Sequence, residues 1–102
     1  MQLLGRFWEL RVSVPAGASE VVILPAAARV SVSAAPVAGG AATVEYTVSS
    51  ADEVNGGTPI WIKLIDAATA GAEANRSVPT RALRLSAATA AAVFDILQWA
   101  SG

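Results

Sequence analysis

The chain has no cysteine, no histidine and a single lysine, Lys63, among its 102 residues. Without cysteine there are no disulfides, no thiol nucleophile and no thiolate metal site, and nothing marks the redox compartment. Without histidine the commonest general base, the commonest metal ligand and the side chain that titrates near neutrality are all missing. Charge is scarce too. Charged residues make up 15% of the chain and the net charge is −1, against about 25% charged in ordinary globular proteins. So small a net charge offers no electrostatic attraction to nucleic acid or to an anionic membrane surface. No segment approaches the ~20 apolar residues of a membrane-spanning helix; the longest candidate, residues 21–28, is short and contains Pro25. The N-terminal MQLLGRFWELRVSV is not expected to act as a secretory signal, because Arg6, Glu9 and Arg11 interrupt its apolar stretch.

What is abundant is small and apolar: 54% of the residues are hydrophobic, alanine foremost. The length suits one domain over residues 1–102 with one core. A domain with this little charge is expected to have part of its surface covered by another subunit, although alanine, tolerated at surfaces, inflates the apolar fraction.

The patterning is that of short strands. In residues 7–14, FWELRVSV, Trp8, Leu10, Val12 and Val14 fall on one face and Phe7, Glu9, Arg11 and Ser13 on the other. Pro15 and Gly17 end this strand. Residues 20–24 form a β-branched run stopped by Pro25, as in a strand buried on both faces or covered by a neighbour. Residues 29–35 alternate with Val30 and Val32 inward. Residues 42–49 place Ala42, Val44, Tyr46 and Val48 opposite Thr43, Glu45, Thr47 and Ser49. Residues 50–59, SADEVNGGTP, read as turn, and residues 60–65 as the next strand, with Ile60, Ile62 and Leu64 forming its core face. Residues 66–79 read as a long alanine-rich loop. Residues 80–86 alternate again. Residues 87–100 fit either a strand, which the β character of the rest favours, or a short helix with Ala90, Val93, Phe94 and Leu97 on one stripe. The expected fold is an all-β sandwich, jelly-roll-like, of seven to eight short antiparallel strands.

Chemistry is hard to find in such a chain. Lys63 lacks a Ser-x-x-Lys partner and reads as an outward solubilising residue. Asp52, Glu53, Asp66 and Glu73 lie in turn or loop segments where solvation explains them. Asp52, Glu53 and Asn55 lack the spacing of a calcium loop. Gly39-Gly40 and Gly56-Gly57 match no phosphate-binding pattern. No catalytic residue, cofactor or metal is therefore expected. The aromatics say more. Trp8 fits the core. Trp61 falls on the face opposite Ile60, Ile62 and Leu64, and in a regular strand Ile65 is outward with it. Trp61 and Ile65, with Phe7 and Trp99, are the candidate protein-interface residues.

Together the segments LGRFWELR, VVILPAAARVSVSAAP, GGAATVEYTVSSADEV, TPIWIKL and VPTRALRLSAAT are similar to strand patterns of small structural proteins in the virion gene blocks of tailed bacteriophages. The likeness covers most of the chain and lies in strand patterns, not in chemical signatures. It implies a non-enzymatic sandwich or jelly roll that decorates or cements a capsid, or else a tail or head-fibre module that binds host surface or carbohydrate. It further implies sister subunits, in a homotrimer, and the major capsid protein as partners. The implied location is the virion surface, after production in the host cytoplasm.

Overall fold

The computed structural model describes residues 2–4, 7–24, 29–76 and 80–99, with the side chains of residues 2–4, 7, 51 and 99 left aside. Within them the chain forms nine strands and one helical turn: β1 (Gln2–Leu4), β2 (Phe7–Val14), β3 (Ser19–Ile23), β4 (Val30–Pro36), β5 (Ala41–Thr47), α1 (Ala51–Asn55), β6 (Ile62–Ala68), β7 (Ala72–Arg76), β8 (Ala82–Ala88) and β9 (Ala92–Trp99). Two antiparallel sheets face each other, one of five strands in the order β1-β2-β9-β4-β7 and one of four in the order β3-β8-β5-β6. The all-β sandwich read from the sequence is the fold. The strands β1 and β7 fall where no strand was expected, and the C-terminal segment is strand β9, not a helix.

The alternation in the sequence becomes the core because successive side chains of a strand point to opposite faces. From the five-stranded sheet come Val12, Val14, Val30, Val32, Phe94 and Ile96; from the four-stranded sheet come Val22, Val44, Leu83 and Leu85, all buried. Phe94 is the largest fully buried side chain. It sits in a cross-strand row, Val12–Phe94–Ala34–Ala72, in which small alanines leave room for the ring. Thr47, Thr80 and Gln98 are the polar residues buried with them, and among the described residues every buried side-chain nitrogen or oxygen has a hydrogen-bond partner.

The two ends of the sandwich differ. At one end the chain crosses between sheets four times through tight turns, at residues 15–18, 37–40, 69–71 and 89–91. Two of these turns depend on backbone geometry. Gly40 is buried, and a Cβ there would meet Ala90 Cβ at 2.9 Å and the Val37 carbonyl at 3.1 Å. Thr89 has φ of 65°, a region costly for a β-branched residue. At the opposite end the connection between β5 and β6 is long and carries α1. The Ser50 hydroxyl accepts from the Glu53 backbone N–H at 3.2 Å, and the Glu53 carboxylate accepts from the Ser50 N–H at 3.1 Å. This capping box explains why a helical turn forms where turn geometry alone was expected.

The segment at residues 60–65 departs from the expectation in direction. A regular strand pairing Tyr46 with Ile62 would set Val44 opposite Leu64 and turn Ile65 outward. The register instead runs Tyr46–Ile62, Glu45–Lys63, then Val44–Ile65 and Ala42–Ala68, with shifts on either side of Val44. Each bulge adds a residue and reverses the facing of the residues beyond it. Ala67, at φ of 49°, lies in the second, and its N–H donates to Thr43 Oγ1 at 3.1 Å. Ile65 is consequently a core residue, 7% exposed. The same pairing carries the ends of β5 and β6 past the shelter of the opposite sheet. Val48, Ile60 and Ile62, expected in the core, are exposed. The run at residues 20–24 is likewise covered on one face only: Val22 and Leu24 are buried, while Val21 and Ile23 are exposed.

Candidate functional site

Five of the six aromatics lie in the last two rows of the sandwich at the end that carries α1; the sixth is Phe94. Phe7 and Trp99 are register partners there, and Trp8 pairs with Gln98. Tyr46 pairs with both Ile62 and Leu83, and Trp61 precedes Ile62. An arginine–tyrosine contact ties the two sheets across this end. The Arg76 guanidinium, from β7, lies 3.7 Å from the centroid of the Tyr46 ring on β5, and its Nε donates to Thr80 Oγ1 at 2.8 Å.

Trp61 is on the outer face of the four-stranded sheet, as its alternation indicated. Across that face the register aligns Val21, Arg84, Glu45 and Lys63 in one row. Arg84 donates to Glu45 through Nε at 2.9 Å and Nη2 at 3.0 Å. The Arg84 guanidinium also lies 4.8 Å from the Trp61 ring centroid. The ion pair is half-buried, which strengthens it over a fully solvated one. Lys63 pairs with Asp66 at 3.1 Å on the exposed side. Trp61 is thus half-buried and held in place, beside Ile60 at 71% exposed, with Val48 and Ile62. Val48, Ile60 and Ile62 are three of the large hydrophobic side chains exposed among the described residues.

Of the four residues expected to form an interface, Trp61 is outward, Ile65 is in the core, and the side chains of Phe7 and Trp99 lie outside the described residues. Sequence reasoning missed Val48, Ile60 and Ile62. Their signal was present, since three apolar residues flanked a turn, but alternation assigned them to a core that the opposite sheet does not reach.

The outer face of the five-stranded sheet is a second candidate surface. It is concave, with a groove of about 830 Å³ lined by Glu9, Arg11, Ser31, Ser33, Glu73 and Asp95 among others. At its centre Arg11 donates to Asp95 through Nε at 2.7 Å and Nη2 at 2.8 Å. Asp95 is held below the usual carboxylate range by these hydrogen bonds, and Arg11 is raised by the same contact. The Ser31 hydroxyl donates to Asn75 Oδ1. The groove offers hydrogen-bond donors and acceptors side by side. Among the described residues, no three of Asp and Glu come together as metal ligands, and no helix is long and apolar enough to cross a membrane.

No protein-family model matches the chain, and no curated protein matches it.

Proposed function

We propose that this protein is a non-enzymatic structural module of a bacteriophage virion, a capsid decoration or cement protein that acts by burying its aromatic end against sister subunits or the major capsid protein. One observation carries the reading. Trp61 is anchored over the Arg84–Glu45 pair on an outer face, at the end of the sandwich where Val48, Ile60 and Ile62 are exposed. A pre-ordered aromatic at an end that also exposes aliphatic side chains suits an interface hot spot, and truncating such a residue costs about 2 kcal/mol or more of binding. The scarcity of charge supports burial against another subunit, and the similarity of the strand segments to phage structural proteins supports a virion setting. Repetition over a symmetric shell multiplies a modest contact through avidity.

The test is Trp61→Ala. Docking on sister subunits or on capsids is expected to weaken while the monomer keeps its far-UV circular dichroism and a cooperative melt. A variant that docks like the wild type sinks the reading, and one that unfolds makes Trp61 a core residue.

The concave polar face favours a second reading, a tail or head-fibre module that binds host glycans. Polyhydroxyl ligands need donors and acceptors side by side, which Arg11, Asp95, Ser33 and Glu73 provide. Glycan-array binding that is lost in Asp95→Ala and retained in Trp61→Ala would favour it over the first.

A further inference from the structure

The four strands at the sheet edges are not alike. An exposed edge is a template for another strand, and proteins blunt such edges with bulges, charges, shortness or cover. In the five-stranded sheet β1 has only three residues, and β7 carries Glu73 and Arg76. In the four-stranded sheet β6 carries Lys63, Asp66 and two register shifts. The remaining edge, β3, carries one charge, Glu20, and pairs with β8 in unbroken register from Ser19–Ser86 to Ile23–Ala82. Its outer-face side chains Val21 and Ile23 are 46% and 50% exposed. Among the described residues no strand pairs with its free side.

The direction of its hydrogen bonds is set by the pairing. The Leu24 N–H donates to the Arg81 carbonyl, and the Ala87 N–H donates to the Ala18 carbonyl. In an antiparallel ladder hydrogen-bonded and non-hydrogen-bonded pairs alternate, so Glu20 and Val22 turn their backbone groups to β8, as do the Ala18 carbonyl and the Leu24 N–H. The N–H and C=O groups of Ser19, Val21 and Ile23 point away from the sheet, below the two exposed aliphatic side chains.

We infer that β3 is a strand-addition seam, and that its occupant is the β3 of a second copy, antiparallel and centred on Val21. This is the register that pairs the whole strand with itself: Val21 opposite Val21, Ser19 opposite Ile23, Glu20 opposite Val22. Each outward-facing residue then meets another outward-facing residue and exchanges two hydrogen bonds with it. The charge on the strand selects the same register. Centring on Glu20 would set two carboxylates directly opposite, which is destabilising, whereas centring on Val21 sets each against a valine. A two-fold seam closes on itself and consumes both edges. It joins two four-stranded sheets into one, in which Val21 and Ile23 cover their counterparts. This interface lies on a different element from Trp61 and does not rest on the docking proposed above.

The test uses the full chain in sedimentation equilibrium with amide hydrogen exchange. The wild type is expected to dimerise, with the Ser19, Val21 and Ile23 amides protected. Val21→Pro removes a donor that the β8 ladder does not use, as edge strands tolerate, and Val21→Lys places a charge on the seam. Both variants are expected to be monomers with wild-type circular dichroism, and their Ser19 and Ile23 amides exchange freely while Val22 and Leu24 stay protected. Trp61→Ala is expected to leave the dimer intact. A wild type that stays monomeric at millimolar concentration overturns the inference. So does a dimer that persists in both variants, or exchange at Ser19 and Ile23 that is as fast in the wild type as in a monomeric variant.

Discussion

The guanidinium of Arg84 lies 4.8 Å from the ring centroid of Trp61 while donating twice to Glu45. One arginine thus fixes an outward tryptophan and neutralises a half-buried carboxylate on the neighbouring strand. A ring held this way loses little rotamer freedom on docking, which is how a pre-ordered anchor gains affinity. A double-mutant cycle of Trp61→Ala and Arg84→Ala in urea denaturation is expected to give a coupling of about 0.5–1 kcal/mol. Glu45→Gln, which keeps the shape and removes the charge, is expected to cost about 1–2 kcal/mol, since Arg84 is only partly solvated. Additive single and double variants would mean that the two residues are neighbours without an interaction.

Phe94 should be the most sensitive core position. It is fully buried and its row-mates Ala34 and Ala72 are too small to fill a void. Phe94→Ala is expected to destabilise by about 3–5 kcal/mol, a large share of the stability of a domain this size. The midpoint of chemical denaturation reports it. A loss below about 1 kcal/mol would show that the two sheets collapse onto the vacated space.

The tight-turn end makes opposite predictions at two neighbouring positions. Thr89 occupies the left-handed region at φ of 65°, so Thr89→Gly is expected to raise the melting temperature, by an amount corresponding to about 1 kcal/mol. Gly40→Ala is expected to lower it, because the added methyl would sit 2.9 Å from Ala90 Cβ and face a backbone carbonyl as well. Thermal melts of the two variants decide the matter, and a stable Gly40→Ala would mean that the turn at residues 37–40 shifts freely.

The Arg11–Asp95 pair carries a pH dependence of known sign. The Asp95 carboxyl titrates below its ordinary value because of the hydrogen bonds from Arg11. Its contribution is therefore present above the unfolded aspartate value of about 3.9 and disappears as the pH falls through the lower, folded value. The raised Arg11 loses its proton only at strongly alkaline pH, outside the range of interest. With side chains 72% and 49% exposed, the effect on stability is expected to be small. A carboxyl titration by NMR is expected to place Asp95 below the ordinary aspartate value in the wild type and to return it there in Arg11→Gln. Thermal melts of the wild type and Asp95→Asn are expected to converge in acid. An Asp95 that titrates at the ordinary value in both proteins would show that the ion pair does not persist in solution.

Much of this protein was readable from residue order alone. Alternation in residues 7–14, 29–35 and 42–49 placed Val12, Val14, Val30, Val32 and Val44 in a core, because a strand's two-residue period is local and needs no partner to be visible. The same logic put Trp61 on an outer face. The capping box at Ser50 and Glu53 was also written in the chain, although the turn residues around it masked it. Three things were settled only by the tertiary structure. The bulges on β6 turned Ile65 inward, because register shifts arise from pairing with β5 and leave no mark in the strand's own composition. The reach of the opposite sheet decided that Val48, Ile60 and Ile62 stay exposed, since burial depends on which side chains lie across the core. The strand order made β3 an edge, so that Val21 and Ile23 line a row of backbone donors and acceptors with which no strand of the described residues pairs.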